Sequence, residues 1–255
     1  MMNSPAFWLI SALAIPVSIA AADPRPFTFT YDAYPIGKGA FEYEQWITFN
    51  ADKSSDHGFR QFQFRHELEY GIADNLDLGF YFLQWDYSDS RDESGTNYDG
   101  AAGEFIYTIF NPAKDKWGLA LYAEFGVAEN ELAFEQKVIV QKDIDKWIFA
   151  YNFVLETEIS GVFDNNKENE VEGIIGHVFG VTRAVARTWF VGGELQVESV
   201  FPDWSHLEAT TAYLGPTISY QGGDHWWVTA TPAIQLTDEE DEADWKIRLI
   251  AGWEF

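Results

Sequence analysis

The chain has 255 residues, no cysteine and a formal net charge of -25. Without cysteine there is no disulfide framework and no thiolate metal site, and a chain this acidic repels phosphate, which argues against nucleic acid as a partner. It also carries 11 Trp, 12 Tyr and 21 Phe, which separates it from acidic disordered chains that lack apolar surface to bury.

Residues 1–22 read as a signal peptide. "FWLISALAIPVSIAAAD" (Phe7–Asp23) is a short apolar run closing on Ala20-Ala21-Ala22, an A-x-A pattern with cleavage expected after Ala22. No Lys or Arg precedes the run, and the alternative is an N-terminal membrane anchor. Residues 23–38 form a separate periplasmic or luminal segment. Its "PFTFTYDAYP" either lies inside the following domain as a plug or adds β-structure at its rim.

From residue 39 to 255 the chain repeats one pattern. "FEYEQWITF" sets Phe41, Tyr43, Gln45, Ile47 and Phe49 on one face and Glu42, Glu44, Trp46 and Thr48 on the other, because successive side chains of a strand alternate. "QFQFRHELEY" alternates Phe62, Phe64, His66, Leu68 and Tyr70 with Gln61, Gln63, Arg65, Glu67 and Glu69. Similar segments span 39–50, 58–71, 74–87, 98–110, 116–127, 131–142, 146–160, 170–182, 187–199, 206–221, 225–237 and 244–255. They are longer than the 5–6 residues or so of an ordinary globular strand and long enough to cross a bilayer at a tilt. Short connections such as "GIADN", "NPAKDK" and "KDIDK" alternate with mostly longer polar ones such as "DYSDSRDESGTNYD" and "TDEEDEAD". That alternation is the meander of a membrane β-barrel, with short periplasmic turns and longer outer loops. The fold expected is therefore all-β: a transmembrane up-and-down antiparallel β-barrel of about 12 strands, with both termini periplasmic.

Trp117, Trp147, Trp189 and Trp226 each open a segment just after a short turn. Parity places them on the apolar face, as an aromatic girdle at one membrane interface; Phe49, Phe125, Trp204 and Trp245 form the opposing belt. A soluble β-sandwich or lipocalin-like barrel is the competing architecture, but so many outward Phe and Trp would overfill a core only about 10 Å thick.

The segment "DWKIRLIAGWEF" carries Ile247, Leu249, Ala251, Trp253 and Phe255 at alternate positions. It resembles the C-terminal assembly signal of Gram-negative outer-membrane proteins, which implies the cell outer membrane and recognition of Leu249, Ala251, Trp253 and Phe255 by the barrel-assembly machinery. Through "FRHELEYGIADNLDL", "NPAKDKWGLALYAE" and "RLIAGWEF" the chain also resembles an uncharacterised family of porin-like outer-membrane barrels, which carries no catalytic residues to transfer.

By parity the lumen receives Glu42, Glu44, Glu67, Glu69, Glu104, Glu124, Glu135, Glu156, Glu158, Glu172, Glu194, Glu198 and Glu254 against Arg65, Lys137, Lys246 and Arg248. Charged walls bounded by low dielectric concentrate counter-ions, and acidic rings select cations. The function expected is passive, porin-like diffusion of small cationic solutes, with Arg65, Lys137 and Arg248 paired to nearby acids and narrowing the bore. Conductance would then fall as the acids neutralise at low pH. The alternative is a closed structural or binding barrel acting through its acidic outer loops, because Phe105, Tyr107, Tyr122, Trp46 and Trp227 are also assigned inward and a barrel of this size can be filled.

An enzyme is not expected. His66 and His177 face lipid, no Ser lies opposite either, and the chain has no G-x-S-x-G elbow. No cofactor is expected, and the acidic loops lack the spaced pattern of an EF-hand. Divalent ions could bridge those loops to lipopolysaccharide, which with membrane lipid and small solutes completes the expected partners. Oligomeric state is not readable from the sequence.

Overall fold

A computed structural model describes residues 25–164, 168–223 and 225–255; the signal peptide expected at 1–22 lies outside the described residues. The alternating segments form β1 (Phe41–Lys53), β2 (Arg60–Ala73), β3 (Leu76–Asp89), β4 (Ser94–Phe110), β5 (Gly118–Ala128), β6 (Glu131–Ile144), β7 (Trp147–Ser160), β8 (Glu170–Ala184), β9 (Trp189–Pro202), β10 (Ala209–Gln221), β11 (Trp226–Gln235) and β12 (Ala243–Glu254). Each pairs antiparallel with its neighbours in sequence, and β1 closes on β12 to make a barrel. Closure leaves no sheet edge, which is what a strand structure in lipid requires.

The pairing Glu42↔Glu254 puts the start of β1 beside the end of β12. This near rim carries the tight turns; in the β6–β7 turn Asp145 adopts a positive φ of 54°, a left-handed geometry that a short polar residue tolerates. The opposite, far rim carries the longer connections. There Asp56 accepts hydrogen bonds from the backbone N–H of Arg91 at 2.7 Å and of Gly58 at 3.1 Å. These bonds hold its carboxyl below the usual aspartate range and tie the β1–β2 loop to the β3–β4 turn.

Three sequence readings need correction. The stretch 86–99 is not a long loop: β3 and β4 run through it as a hairpin, with Asp86 opposite Asn97 and Ser88 opposite Gly95, leaving only 90–93 as the turn. Polar side chains on both faces let a hairpin stand clear of the apolar zone while its backbone stays paired. Phe105 and Tyr107 point outward, 52% and 48% exposed, because the strand period of two fixes them opposite to inward Glu104. Trp46, Tyr122 and Trp227 do point inward and are buried. Among the described residues Arg248 makes no ion pair; it donates to Thr48 Oγ1 at 3.0 Å and stacks over Phe29.

The outer surface is apolar and exposed along β1–β12. Trp117, Trp147, Trp189, Trp226 and Trp253 are exposed at the near rim, and Tyr220 packs between Trp189 and Trp226. Toward the far rim Phe49 packs on Phe62, Phe64 on Trp85, and Phe125 on Phe134, at ring separations of 4.7, 4.1 and 4.9 Å. The packed core lies inside the barrel. Trp46, Tyr81, Tyr122, Ile139, Trp227 and Ile250 surround Tyr31 and Ala33, while Val154, Val178 and Tyr213 surround Phe29.

Candidate functional site

Residues 25–36 cross the lumen, and the wall is built to hold them. Phe27 and Phe29 are buried, but residues 28–30 form a bend and the segment pairs with no strand of the barrel. Its backbone groups must therefore be satisfied by side chains. Glu194 on β9 does most of this. Its Oε1 accepts from the Thr28 N–H at 2.9 Å, and its Oε2 accepts from Phe29 and Thr30 N–H, each at 2.8 Å. The Thr28 and Thr30 hydroxyls and Thr231 Oγ1 also donate to it.

Asn152 on β7 completes a two-way pair with Tyr31, accepting from its N–H at 2.6 Å and donating to its carbonyl at 2.9 Å. Gln141 on β6 accepts from Ala33 N–H at 2.7 Å, and Asp77 on β3 accepts from Ile36 N–H at 3.3 Å. Tyr34 donates its hydroxyl to Asp143. At the other end Thr229 Oγ1 donates to the Arg25 carbonyl at 2.5 Å. The Arg25 guanidinium pairs with Glu44 at 3.2 Å and lies over the Tyr31 and Trp46 rings at 4.1 and 4.4 Å, a stacked arrangement that arginine favours.

Beyond this segment the lumen opens. A cavity of about 610 Å³ faces the far rim, lined by Arg65, Asp99, Glu129, Glu131, Glu158 and Arg248 among others. A second of about 160 Å³, lined by Arg65, Glu124, Glu131 and Glu156, lies next to it. On the near-rim side a cavity of about 50 Å³ lies beside Arg25, Asp32, Glu42, Glu44, Glu69 and Asp77.

The predicted luminal residues all face inward, but in two different settings. Glu42, Glu44, Glu67, Glu69, Glu104 and Glu194 are buried in the near-rim half. Glu124, Glu135, Glu156, Glu158, Glu172, Arg65, Lys137 and Arg248 are only partly buried. Arg65 pairs with Glu124 at 3.3 Å, and Lys137 with Glu135 at 2.9 Å. Strand register joins the acids into one row. Glu254 lies opposite Glu42, Glu42 opposite Glu69, Glu69 opposite Gly79, and Gly79 opposite Glu104. Glu104 then lies opposite Glu124, Glu124 opposite Glu135, and Glu135 opposite Glu156. Glu254 ends its strand at the near rim, whereas Glu135 and Glu156 sit in the far halves of theirs. The row therefore climbs around the inner wall.

Sequence reasoning missed Arg25, Asp77, Gln141, Asn152, Thr229 and Thr231 as functional positions. Gln141 and Asn152 carried a usable signal: a carboxamide both donates and accepts, so an inward one suits an unpaired backbone. On the lipid face His66 bonds Tyr43 at 2.8 Å and His177 bonds Tyr151 at 2.9 Å.

A family model matches residues 19–246, and its description is a family of unknown function (DUF6662). No curated protein matches the chain. Among solved structures the chain is similar to the COG4313 outer membrane channel from Pseudomonas putida F1, with TM-score 0.67, 12% identity, and 90% of this chain and 100% of that one covered. It is similar to the NanC porin, with TM-score 0.56, 8% identity and coverage of 84% and 98%. The β domain of the Bordetella autotransporter BrkA gives TM-score 0.55, 12% identity and coverage of 86% and 100%. At such identities the likeness establishes the fold, that of bacterial outer-membrane barrels.

Proposed function

The chain belongs to the family of unknown function DUF6662, and we propose that it is a narrow porin-like channel of the Gram-negative outer membrane, passing small cationic solutes through an acidic lumen. The observation that carries this reading is the row of carboxylates climbing from Glu254 and Glu42 to Glu135 and Glu156. Carboxylates outnumber the bases Arg65, Lys137, Lys246 and Arg248 on this wall even with Glu124 and Glu135 paired, and a net negative wall inside a low-dielectric barrel gathers counter-ions along its length. The far-rim cavity of about 610 Å³ provides the entry, and residues 25–36 form the narrowest part of the route. The structural neighbours named as a channel and a porin support transport; the autotransporter domain shares the fold, so the charged interior is what favours a solute channel. The proposal includes no chemistry at His66 or His177, which pack against tyrosines on the lipid face.

A second reading is supported by the density of tethers on residues 25–36: a barrel closed at rest. Single-channel recording of the refolded chain in a planar bilayer under a salt gradient separates the two. Discrete steps with a cation-favouring reversal potential support the channel. Folded insertions that stay silent, in the parent chain and in Glu194→Ala alike, overturn it.

A further inference from the structure

Strands β1 and β2 carry the same inward pattern, Glu42-x-Glu44 and Glu67-x-Glu69. Register sets Glu42 opposite Glu69 and Glu44 opposite Glu67, an arrangement in which like charges on paired strands repel. Two of the four are answered by neighbours. Glu42 accepts from Trp227 Nε1 at 2.7 Å; Glu44 accepts from Trp46 Nε1 at 2.7 Å and from Arg25 Nη1 at 3.2 Å.

Glu67 is different. It is 0% exposed, and neither carboxylate oxygen accepts from an N–H or hydroxyl group among the described residues; the hydrogen-bonding neighbour it does have is the carboxyl of Glu44. A buried carboxylate left in this state is costly. The remaining N–H groups of Arg25 do not serve it: Arg25 Nε and Nη2 are themselves without a hydrogen-bond partner among the described residues. One oxygen each of Glu44, Glu67 and Glu69 lies within 4.8 Å of the other two. The wall also leaves room for them. A Cβ at Gly79, the β3 residue opposite Glu69, would come within 2.7 Å of Glu67 Oε1 and 2.5 Å of Glu104 Cγ.

We propose that Glu44, Glu67 and Glu69 bind one Ca²⁺ ion in the near-rim half of the barrel. The donor set is all oxygen, which suits a hard cation rather than a transition metal. Three carboxylates and the Arg25 guanidinium leave two negative charges, which a divalent ion cancels and a monovalent ion does not. Both oxygens of Glu67 and Glu69 and Oε1 of Glu44, whose Oε2 already accepts from Trp46 and Arg25, would supply five oxygens, and one water brings the set to the lower end of the roughly six to eight that Ca²⁺ takes. Mg²⁺ keeps several waters in a strict octahedron, which suits a fully enclosed Glu67 less well. Bound there, the ion would brace β1 against β2 and, through Glu44 and Arg25, hold the luminal segment.

The test is calorimetric titration of the refolded, EDTA-stripped chain with CaCl₂, alongside thermal unfolding with and without Ca²⁺. Glu67→Gln and Glu69→Gln are compared with a loop variant, Asp238→Asn with Glu239→Gln and Glu240→Gln. The expected result is one saturable Ca²⁺ per chain, lost in both luminal variants and kept in the loop variant. Ca²⁺ should raise the unfolding temperature of the parent chain but not of Glu67→Gln. In EDTA the order should reverse, with Glu67→Gln the more stable because its unpaired charge is gone. The proposal is overturned if the parent chain shows no saturable binding and no Ca²⁺-dependent rise in unfolding temperature, a reading that needs no variant to fold. It is overturned equally if binding survives both luminal variants and disappears with the loop variant. Conductance enters none of these readouts, so the channel reading and the ion site fail separately.

Discussion

Glu194 shows how one side chain can organise a lumen. Its two oxygens take three consecutive backbone N–H groups of residues 28–30, and hydrogen bonds to a charged acceptor are worth about 1.5–3 kcal/mol each. Glu194→Ala removes the acceptor and leaves three amides buried without partners. It should weaken docking of the segment by on the order of 3–5 kcal/mol, since the lost bonds are not additive. The measurable consequence is a larger single-channel conductance and faster proteolysis near residue 30. Unchanged conductance and protection would show that the segment is held by Phe27 and Phe29 packing instead. Asn152→Leu should act in the same direction with a smaller effect, because it takes only the pair to Tyr31.

Strands behave according to which solvent each face meets. Val138 sits midway along β6, 39% exposed on the outer face, next to inward Lys137. Val138→Arg should destabilise the barrel in lipid by about 2–4 kcal/mol, the cost of a cation near the bilayer midplane. Urea unfolding from lipid vesicles would measure it, and a shift near zero would contradict the assignment of that face to lipid. Gly100 marks a different constraint on an element. Its φ is 89°, and a Cβ there would come within 2.1 Å of the Val127 carbonyl oxygen. Left-handed backbone alone costs an L-residue about 1–2 kcal/mol, so Gly100→Ala should lower the unfolding free energy by at least that much through the β4–β5 pairing, read as a lower urea midpoint.

Across the whole molecule, the channel proposed above is tested through charge placement. Glu124, Glu156 and Glu158 line the open cavities, whereas Glu67 and Glu69 are buried in the packed near-rim half. Replacing Glu124, Glu156 and Glu158 together by Gln should move the reversal potential under a salt gradient toward zero, and most visibly at low ionic strength, where screening is weakest. A reversal potential unmoved by all three would place selectivity at the segment itself and not along the carboxylate row.

The sequence by itself determined the strands apart from the β3–β4 extension over 86–99, the two faces apart from Phe105 and Tyr107, the near-rim tryptophans and the inward glutamates, because a period of two is a local property that each segment writes independently. It could not place residues 25–36. "PFTFTY" alternates as any strand does, and its partners Asn152 and Glu194 lie 121 and about 165 residues away. It could not join the glutamates into a row either. Parity assigns a side of the wall, but only closure of β1 on β12 and the register of each pair decide which carboxylates stand opposite one another. The tertiary structure alone therefore distinguished a cluster around Glu67 from an open acidic cavity around Glu156, since that difference depends on neighbours supplied by distant strands and by the segment that crosses between them.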